Sequence, residues 1–260
     1  QGDSISVNVT IENQGGSAET FNVTAYYDSK VIETQSVSLD GGTFTNLVFT
    51  WNTTEVDKGE YRISAEACVV PGETEITDNV KEAESIVTVL SSGHDVTIKG
   101  VVPSKTVLGQ GYSLSISITV KNFGNFTETF DVTAYYDDAP IETKAVTTLS
   151  LGEETTITFL WNTTGVAKGN YTISATADTV PGETDTTDNT HINGWVLVTI
   201  PGDVNGNHIC DMRDIFQLIL HFMCKKGQPC YMPNYDINCD GIIDMKDIYI
   251  AIKHFGEKDL

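Results

Sequence analysis

Hydrophobic and polar residues alternate along most of the first 200 residues of the chain. In the stretch SLSISITV, the apolar residues are Leu114, Ile116, Ile118 and Val120, with serine or threonine between them. A period of two places apolar side chains on one face of a β-strand and polar side chains on the other. ISVNVTI near the N-terminus has the same alternation. The pattern predicts antiparallel sheets with one face on a core and one face in water.

The same unit occurs twice in this region. ETFNVTAYYD at Glu19 returns as ETFDVTAYYD at Glu128, and WNTTEVDKGEYRISAEA at Trp51 returns as WNTTGVAKGNYTISATA at Trp161. VPGETEITDN closes the first unit and VPGETDTTDN closes the second. Turn signals separate about seven short strands in the second unit. The sequence therefore predicts a mainly β chain with two tandem immunoglobulin-like antiparallel β-sandwiches.

The order of these segments resembles the CARDB family of immunoglobulin-like modules of prokaryotic secreted and surface proteins. In both units a strand ends in WN, KGxYxISAxA follows, and VPGETxxTDN closes the unit. The resemblance covers residues 1–90 and 94–200 and implies a spacer or adhesion role. We interpret the acids of the second closing segment, Glu183, Asp185 and Asp188, as a solvated turn in preference to a metal site.

The two units differ at their starts. Residues 94–109, HDVTIKGVVPSKTVLG, have no counterpart in the first unit, because Gln1 aligns with Gln110. We therefore expect the first sandwich, residues 1–90, to lack its first strand and to have an open sheet edge. Truncation is one explanation, and a strand from another chain that fills the gap is the alternative.

A loop of alternating oxygen-bearing side chains occurs twice near the C-terminus. Positions 1, 3, 5, 9 and 12 are Asp203, Asn205, Asn207, Asp211 and Asp214 in loop one, and Asp236, Asn238, Asp240, Asp244 and Asp247 in loop two. Calcium takes about six to eight oxygen ligands, and this spacing wraps oxygens around one ion. The backbone carbonyls at position 7, Ile209 and Ile242, would add a ligand to each loop.

An amphipathic helix follows each loop. The two apolar stripes, at i, i+3, i+4 and i+7, are Ile215, Leu218, Ile219 and Phe222, then Ile248, Ala251, Ile252 and Phe255. Neither loop has a helix directly before it, so both are half EF-hands. The tandem closely resembles a type I dockerin over residues 201–257, and we assign residues 201–260 to this domain. The resemblance implies two calcium ions, a pseudo-two-fold pair of helices and a cohesin module as partner.

The dockerin resemblance also implies partner contacts at positions 10 and 11 of each loop. These residues are Met212 and Arg213 in loop one, and Met245 and Lys246 in loop two. The family has glycine at position 6, where φ tends to be positive. Loop two keeps Gly241, but loop one has His208, which adopts this region at some cost.

Cysteine placement favours disulfides in the C-terminal domain. Four of the five cysteines lie in the last 60 residues without a CxxC pair, which is more typical of two disulfides than of a zinc site. Three pairings are possible. The short loop CKKGQPC favours Cys224–Cys230, which leaves Cys210–Cys239 to join the two loops, with Cys68 as a free thiol.

Composition excludes several function classes. The net charge of −21 argues against nucleic acid and anionic membranes as partners. No apolar run approaches the roughly 18 residues that span a bilayer. No nucleophile–base pair appears and the five histidines are scattered, so we expect no enzyme activity.

Six N-x-T sequons lie in the two sandwiches, and the C-terminal domain has none. They are Asn8, Asn22, Asn52, Asn125, Asn162 and Asn170. Strand alternation points Asn8 and Asn22 outward. We expect N-linked glycans on these asparagines if the source has a suitable transferase.

These features together predict a non-catalytic extracellular structural or adhesion protein of a bacterial or archaeal cell surface. A glycosylated spacer would carry a calcium-dependent dockerin. One alternative is a subunit of a head-to-tail extracellular filament completed by strand donation, with another copy of the chain as partner. A second alternative is the C-terminal accessory region of a secreted enzyme.

Overall fold

The computed structural model describes residues 1–259, and Leu260, the last residue of the predicted C-terminal domain, lies outside them. The fold is mainly β, as predicted, with fourteen strands, two α-helices and one 3-10 helix in the described chain. It divides into two compact units, residues 1–92 with 123–125, and residues 93–122 with 126 onward. No helix within residues 1–259 is long and apolar enough to cross a membrane.

Six strands form the first sandwich. They are β1 (Ser4–Glu12), β2 (Glu19–Tyr27), β3 (Lys30–Leu39), β4 (Phe44–Asn52), β5 (Gly59–Ala67) and β6 (Val80–Val89). β1 pairs antiparallel with β4, and the other sheet has the order β3-β2-β5-β6. Trp51 stacks on Tyr27 with ring centroids 4.7 Å apart, and Tyr61 meets both rings edge-on. This aromatic cluster joins the two sheets.

The second sandwich has eight strands, one more than predicted. They are β7 (Val96–Pro103), β8 (Val107–Gly109), β9 (Ser113–Asn122), β10 (Glu128–Tyr136), β11 (Ala139–Leu149), β12 (Glu154–Asn162), β13 (Gly169–Ala177) and β14 (Thr190–Thr199). The sheets have the orders β12-β9-β7 and β11-β10-β13-β14-β8. The extra strand, β8, has three residues and pairs parallel with β14. It is too short to show a period of two.

The two sandwiches differ in the size of their cores. Residues 94–109 supply β7 and β8, and four of their side chains enter a cluster of 21 buried residues: Val96, Ile98, Val101 and Leu108. The first sandwich has two separate clusters of four and three buried residues. Ile116 and Ile118 of β9 are fully buried, whereas their counterparts Val7 and Val9 on β1 are only partly buried. β7 therefore completes the core of the second sandwich.

Two acids of the closing segment of the second unit anchor β7, so their interpretation as part of a solvated turn was wrong. Glu183 Oε1 accepts a hydrogen bond from the backbone N–H of Val96 at 2.8 Å. Asp188 Oδ2 accepts from the Thr97 hydroxyl at 2.7 Å. These partners are separated by 87 and 91 residues. Local sequence pattern carries no signal for such a contact.

The C-terminal domain contains α1 (Met212–Leu220), a 3-10 helix (Pro233–Tyr235) and α2 (Met245–Lys253). Ile215 and Leu218 of α1 are buried with Ile248 and Ala251 of α2 in one small core. Only half of each predicted apolar stripe is buried, and the other two residues of each stripe are exposed, which corrects the prediction. Ile219, Phe222, Ile252 and Phe255 are 41–53% exposed. Each helix is only nine residues long and buries one narrow strip against the domain core.

Candidate metal centre and docking face

The carboxylate at position 1 of each loop is almost fully buried. Asp203 is 2% exposed and Asp236 is 1% exposed. Asp203 accepts from the backbone N–H groups of Gly206, Asn207 and His208, and from the Thr199 hydroxyl at 2.7 Å. Asp203 is thus held inside loop one by hydrogen bonds to both of its carboxylate oxygens.

The position-1 carboxylate of loop two has equivalent partners. Asp236 accepts from the backbone N–H groups of Asp240 and Gly241 and from the Tyr231 hydroxyl at 2.7 Å. The hydroxyl donors Thr199 and Tyr231 were missed by sequence reasoning. They lie four and five residues before their loops, outside the calcium-loop spacing.

The carboxylate at position 12 is fully buried in both loops. Asp214 and Asp247 are each 0% exposed. Asp214 Oδ2 accepts from the backbone N–H of Asp211 at 2.9 Å, which closes a capping box on α1, and Asp247 repeats this on α2. Burial raises the pKa of both carboxyl groups above their usual range, although the amide donors act in the opposite direction.

The donor set fits a hard cation. Two buried carboxylates in each loop carry a desolvation penalty that a bound divalent ion would offset. At positions 3 and 5, Asn205 Oδ1 and Asn207 Oδ1 accept from loop amides at 3.0 Å, as does Asp240 Oδ1 at 3.1 Å. Within residues 1–259, no three His, Cys, Asp or Glu side chains form a preformed metal cluster. The predicted ligand sets draw partly on amide and backbone oxygens, which suit calcium.

The backbone is left-handed at positions 4 and 6 of both loops. In loop one these are Gly206, with φ 73°, and His208, with φ 68°. In loop two they are Cys239, with φ 61°, and Gly241, with φ 87°. Each loop therefore has one glycine and one strained L-residue, in opposite order. The strain predicted at His208 is present, and Cys239 shares it.

The second sandwich contacts loop two directly. Lys105, between β7 and β8, is 6% exposed, and its ammonium group donates to the backbone carbonyl of Asp236. Asn234 Oδ1 accepts from the backbone N–H groups of Thr106 at 3.0 Å and Val107 at 3.2 Å. These contacts have no local sequence signal, because 127–131 residues separate the partners. Sandwich and loop are therefore parts of one unit.

Cys224 and Cys230 form a disulfide with a Cα–Cα distance of 5.7 Å. The predicted Cys210–Cys239 bridge is wrong in this structure, in which both thiols are free. Cys210 is buried in the helical core and donates to the Ala251 carbonyl at 3.2 Å. Cys239 is exposed and donates to the Ser113 carbonyl at 2.9 Å. The two sulfur atoms therefore face different surroundings, which spacing could not reveal.

The residues at positions 10 and 11 are exposed at the start of each helix. Met212 is 60% exposed and Met245 is 59% exposed, and Arg213 and Lys246 are also exposed. Further along the helices, Phe216, Leu220, Tyr249 and Ile252 present apolar surface to solvent. We call these eight residues the docking face. Lys246 Nζ lies 2.7 Å from Asp240 Oδ2, the side chain at position 5 of its own loop.

All six sequon asparagines are exposed. Asn8 and Asn22 point outward from β1 and β2, as alternation predicts. In the sequon at Asn52, the amide oxygen accepts from both the backbone N–H and the hydroxyl of Thr54. The asparagine side chains are therefore accessible on the sandwich surfaces.

Two family models match the chain. The model described as CARDB matches residues 1–85 and 90–193, and the model described as Dockerin type I domain matches residues 201–256. Together the two CARDB segments cover more than half of the chain. A search of curated proteins finds no match.

Several solved structures are similar to part of the chain. A CARDB domain of a Pyrococcus furiosus protein, in complex with di-metal ions, is 26% identical, with a TM-score of 0.36, and the match covers 42% of this chain and 91% of that one. A domain from Methanosarcina acetivorans is 24% identical, with a TM-score of 0.34, and the match covers 41% and 92%. A Listeria innocua β-glucosidase is 16% identical, with a TM-score of 0.30, over 41% of this chain and 16% of that enzyme.

Proposed function

The chain belongs to the CARDB family, and because a dockerin type I domain follows its two CARDB segments, we propose that it is a non-catalytic structural protein of the cell exterior. Both kinds of module are non-catalytic and typical of extracellular or cell-surface proteins. A dockerin implies binding to a cohesin-type partner. In this proposal residues 1–90 and 94–200 are spacer domains and residues 201–260 attach the protein to its partner.

Dockerin type I domains bind calcium, and we assign one ion to each loop of this chain. The ligands of loop one are Asp203, Asn205, Asn207, the Ile209 carbonyl, Asp211 and Asp214. Those of loop two are Asp236, Asn238, Asp240, the Ile242 carbonyl, Asp244 and Asp247. The observation that carries this assignment is the burial of the carboxylates at positions 1 and 12, repeated in both loops. A bound ion would place positive charge beside these buried carboxylates. The free energy of calcium binding would therefore add to the folding stability of the domain.

The docking face is the proposed contact with the cohesin-type module. Met212, Arg213, Met245 and Lys246 are its centre, and exposed Phe216 and Tyr249 extend it along the helices. Calcium would order the loops from which both helices begin. Docking should therefore depend on calcium.

Surface plasmon resonance with a cohesin module on the chip tests this function. We expect binding in calcium and none in a chelator. Met212→Asp combined with Met245→Asp should weaken binding at least about 100-fold, since buried interface anchors contribute about 2 kcal/mol or more each. The control is Val102→Asp, which changes an exposed apolar residue of β7 in the second sandwich. Equal affinity of the helix variant and the control contradicts the proposed face.

The proposed extracellular location rests on two further observations. The six sequons are exposed on the sandwiches, and Cys224–Cys230 is oxidised, as is usual outside the cytosol. Mass spectrometry of peptides from the native protein tests both points. Unmodified asparagine at all six sequons together with reduced Cys224 and Cys230 would contradict the assignment.

A further inference from the structure

The position-1 carboxylate of each predicted calcium loop accepts a hydrogen bond from a hydroxyl group that lies outside the loop. Thr199 donates to Asp203 Oδ2 and Tyr231 donates to Asp236 Oδ2, each at 2.7 Å. In both loops the same oxygen also accepts from the backbone N–H of position 6 at 2.9 Å. Groups that hydrogen-bond to a metal-ligating carboxylate orient it toward the ion. The two hydroxyl groups therefore have equivalent places beside the two loops.

Different structures hold the two hydroxyl groups. Thr199 is the last residue of β14, is fully buried and pairs with Gly109 of β8, so the sheet of the second sandwich fixes it. Tyr231 lies in no strand or helix and directly follows Cys230. Asn234, which contacts the second sandwich, fixes only the part of this segment nearer to loop two. Tyr231 therefore needs a support of its own.

The Cys224–Cys230 disulfide closes a turn immediately before Tyr231. Inside the turn, the Lys225 N–H donates to Gln228 Oε1 at 2.8 Å, and the Gln228 N–H donates to the Lys225 carbonyl at 2.9 Å. The Tyr231 N–H then donates to the Gln228 carbonyl at 3.0 Å. The backbone of Tyr231 is thus attached to the turn that the disulfide closes.

The other end of this turn is anchored beside loop two. The Cys224 carbonyl accepts from the Ile243 N–H at 3.0 Å, and the Lys226 N–H donates to the Gly241 carbonyl at 2.9 Å. Cys224 is buried in the helical core, whereas Cys230 is exposed. The disulfide therefore connects Tyr231 covalently to a fixed point, and a thiol reductant in solution can reach its exposed sulfur.

Loop one has the same backbone pairing without a disulfide. The Gly256 N–H donates to the Cys210 carbonyl at 2.8 Å, and the Cys210 N–H donates to the Glu257 carbonyl at 3.1 Å. Residues 256–259 contain no cysteine. Loss of the disulfide should therefore act on loop two and leave loop one unchanged.

We propose that Tyr231 is a positioning residue for calcium in loop two, and that the Cys224–Cys230 disulfide holds its hydroxyl group on Asp236. Calcium affinity at loop two then depends on the oxidation state of the disulfide, and affinity at loop one does not. The inference rests on the proposed calcium assignment. A dithiol reductant breaks the S–S bond and supplies two electrons and two protons, which gives two cysteine thiols and the oxidised, disulfide form of the reductant. Tyr231 then loses its covalent support, and Asp236 loses its hydroxyl donor.

Isothermal titration calorimetry of the full chain tests the proposal one loop at a time. Asp203→Ala confines calcium binding to loop two, and Asp236→Ala confines it to loop one. In the loop-two background, Tyr231→Phe should weaken calcium binding about 10–100-fold, as is usual when a ligand loses its hydrogen-bond partner. Dithiothreitol should weaken it at least about fivefold. In the loop-one background, which is the matched control, neither change should alter the affinity.

The combination of the two changes separates a positioning role from a general loss of structure. Because the disulfide acts through the Tyr231 hydroxyl group, dithiothreitol should cause no further loss of calcium affinity once Tyr231→Phe is present. Additive losses would show that the disulfide supports loop two by another route, which overturns the proposal.

Hydrogen–deuterium exchange of the unaltered chain provides a measurement that depends on no variant. At a calcium concentration near the midpoint of binding, dithiothreitol should speed exchange in peptides that cover residues 236–247 and leave residues 203–214 unchanged. Loop-two affinity that is indifferent to Tyr231→Phe or to reduction overturns the proposal, and so does equal weakening at loop one. One ion in each loop, bound without regard to either change, overturns this inference alone. A chain that binds no calcium overturns the calcium assignment as well.

Discussion

At the scale of single residues, position 6 of the two predicted calcium loops can be tested by two opposite substitutions, because it is His208 in loop one and Gly241 in loop two. Holding a non-glycine residue in the left-handed region costs about 1–3 kcal/mol. Replacing that residue with glycine removes this strain but costs about 0.5–1 kcal/mol, because glycine has more conformational entropy in the unfolded chain. His208→Gly should therefore raise the free energy of unfolding of the calcium-loaded protein by about 1 kcal/mol. Gly241→His should lower it by a similar amount. Urea denaturation in calcium measures both, and changes of the same sign contradict the role assigned to position 6.

Lys246 is predicted to contact the cohesin-type partner, and in the structure it forms an ion pair with a predicted calcium ligand. Its ammonium group binds Asp240, a predicted ligand of loop two. Removing this competing cation should tighten calcium binding by about two- to fivefold in Lys246→Ala, since exposed ion pairs are weak. Arg213→Ala is the matched control, because position 5 of loop one is the neutral Asn207. Calcium titrations of both variants measure the effect, and weaker binding in Lys246→Ala would contradict it.

At the scale of elements, the contact between the second sandwich and loop two should stabilise the loop. Lys105→Ala leaves the Asp236 carbonyl without its buried charged donor, which costs about 1–3 kcal/mol. We expect lower stability and weaker calcium binding at loop two. The control is Lys99→Ala, from the same segment, whose partner Glu154 is half-exposed and whose loss should cost less than about 1 kcal/mol. Equal effects of the two variants in thermal melts would contradict the coupling.

The helices and strands also show which structural features could be predicted from the sequence. Alternation at Ile116 and Ile118 predicted β9, and the spacing of Asp203 to Asp214 predicted both the loop and the start of α1, because these signals are local. Burial of Ile219 and Phe222 was predicted wrongly, since periodicity gives the face of a helix but not the width covered by its neighbours. The contacts of Lys105, Glu183 and Cys239 were missed because their partners are about 90 residues or more away in the chain.

At the scale of the whole molecule, the two sandwiches should differ in stability. The second has a single core cluster of 21 buried residues, and the first has clusters of four and three. A fully buried aliphatic side chain contributes about 1.5–3 kcal/mol. Differential scanning calorimetry should therefore show the first sandwich unfolding at the lower temperature. Calcium should raise only the transition of the unit that contains the loops, and a calcium shift in the first sandwich would contradict this division.

The central claim is that two equivalent loops each hold one calcium ion, and isothermal titration calorimetry of the calcium-free full chain tests it most directly. We expect two ions per chain, one ion in Asp236→Ala, and none in Asp203→Ala combined with Asp236→Ala. The strand signal in circular dichroism should persist in every variant, which shows that the sandwiches remain folded. A stoichiometry that is unchanged by the double substitution, or an absence of calcium binding by the unaltered chain, would contradict the account.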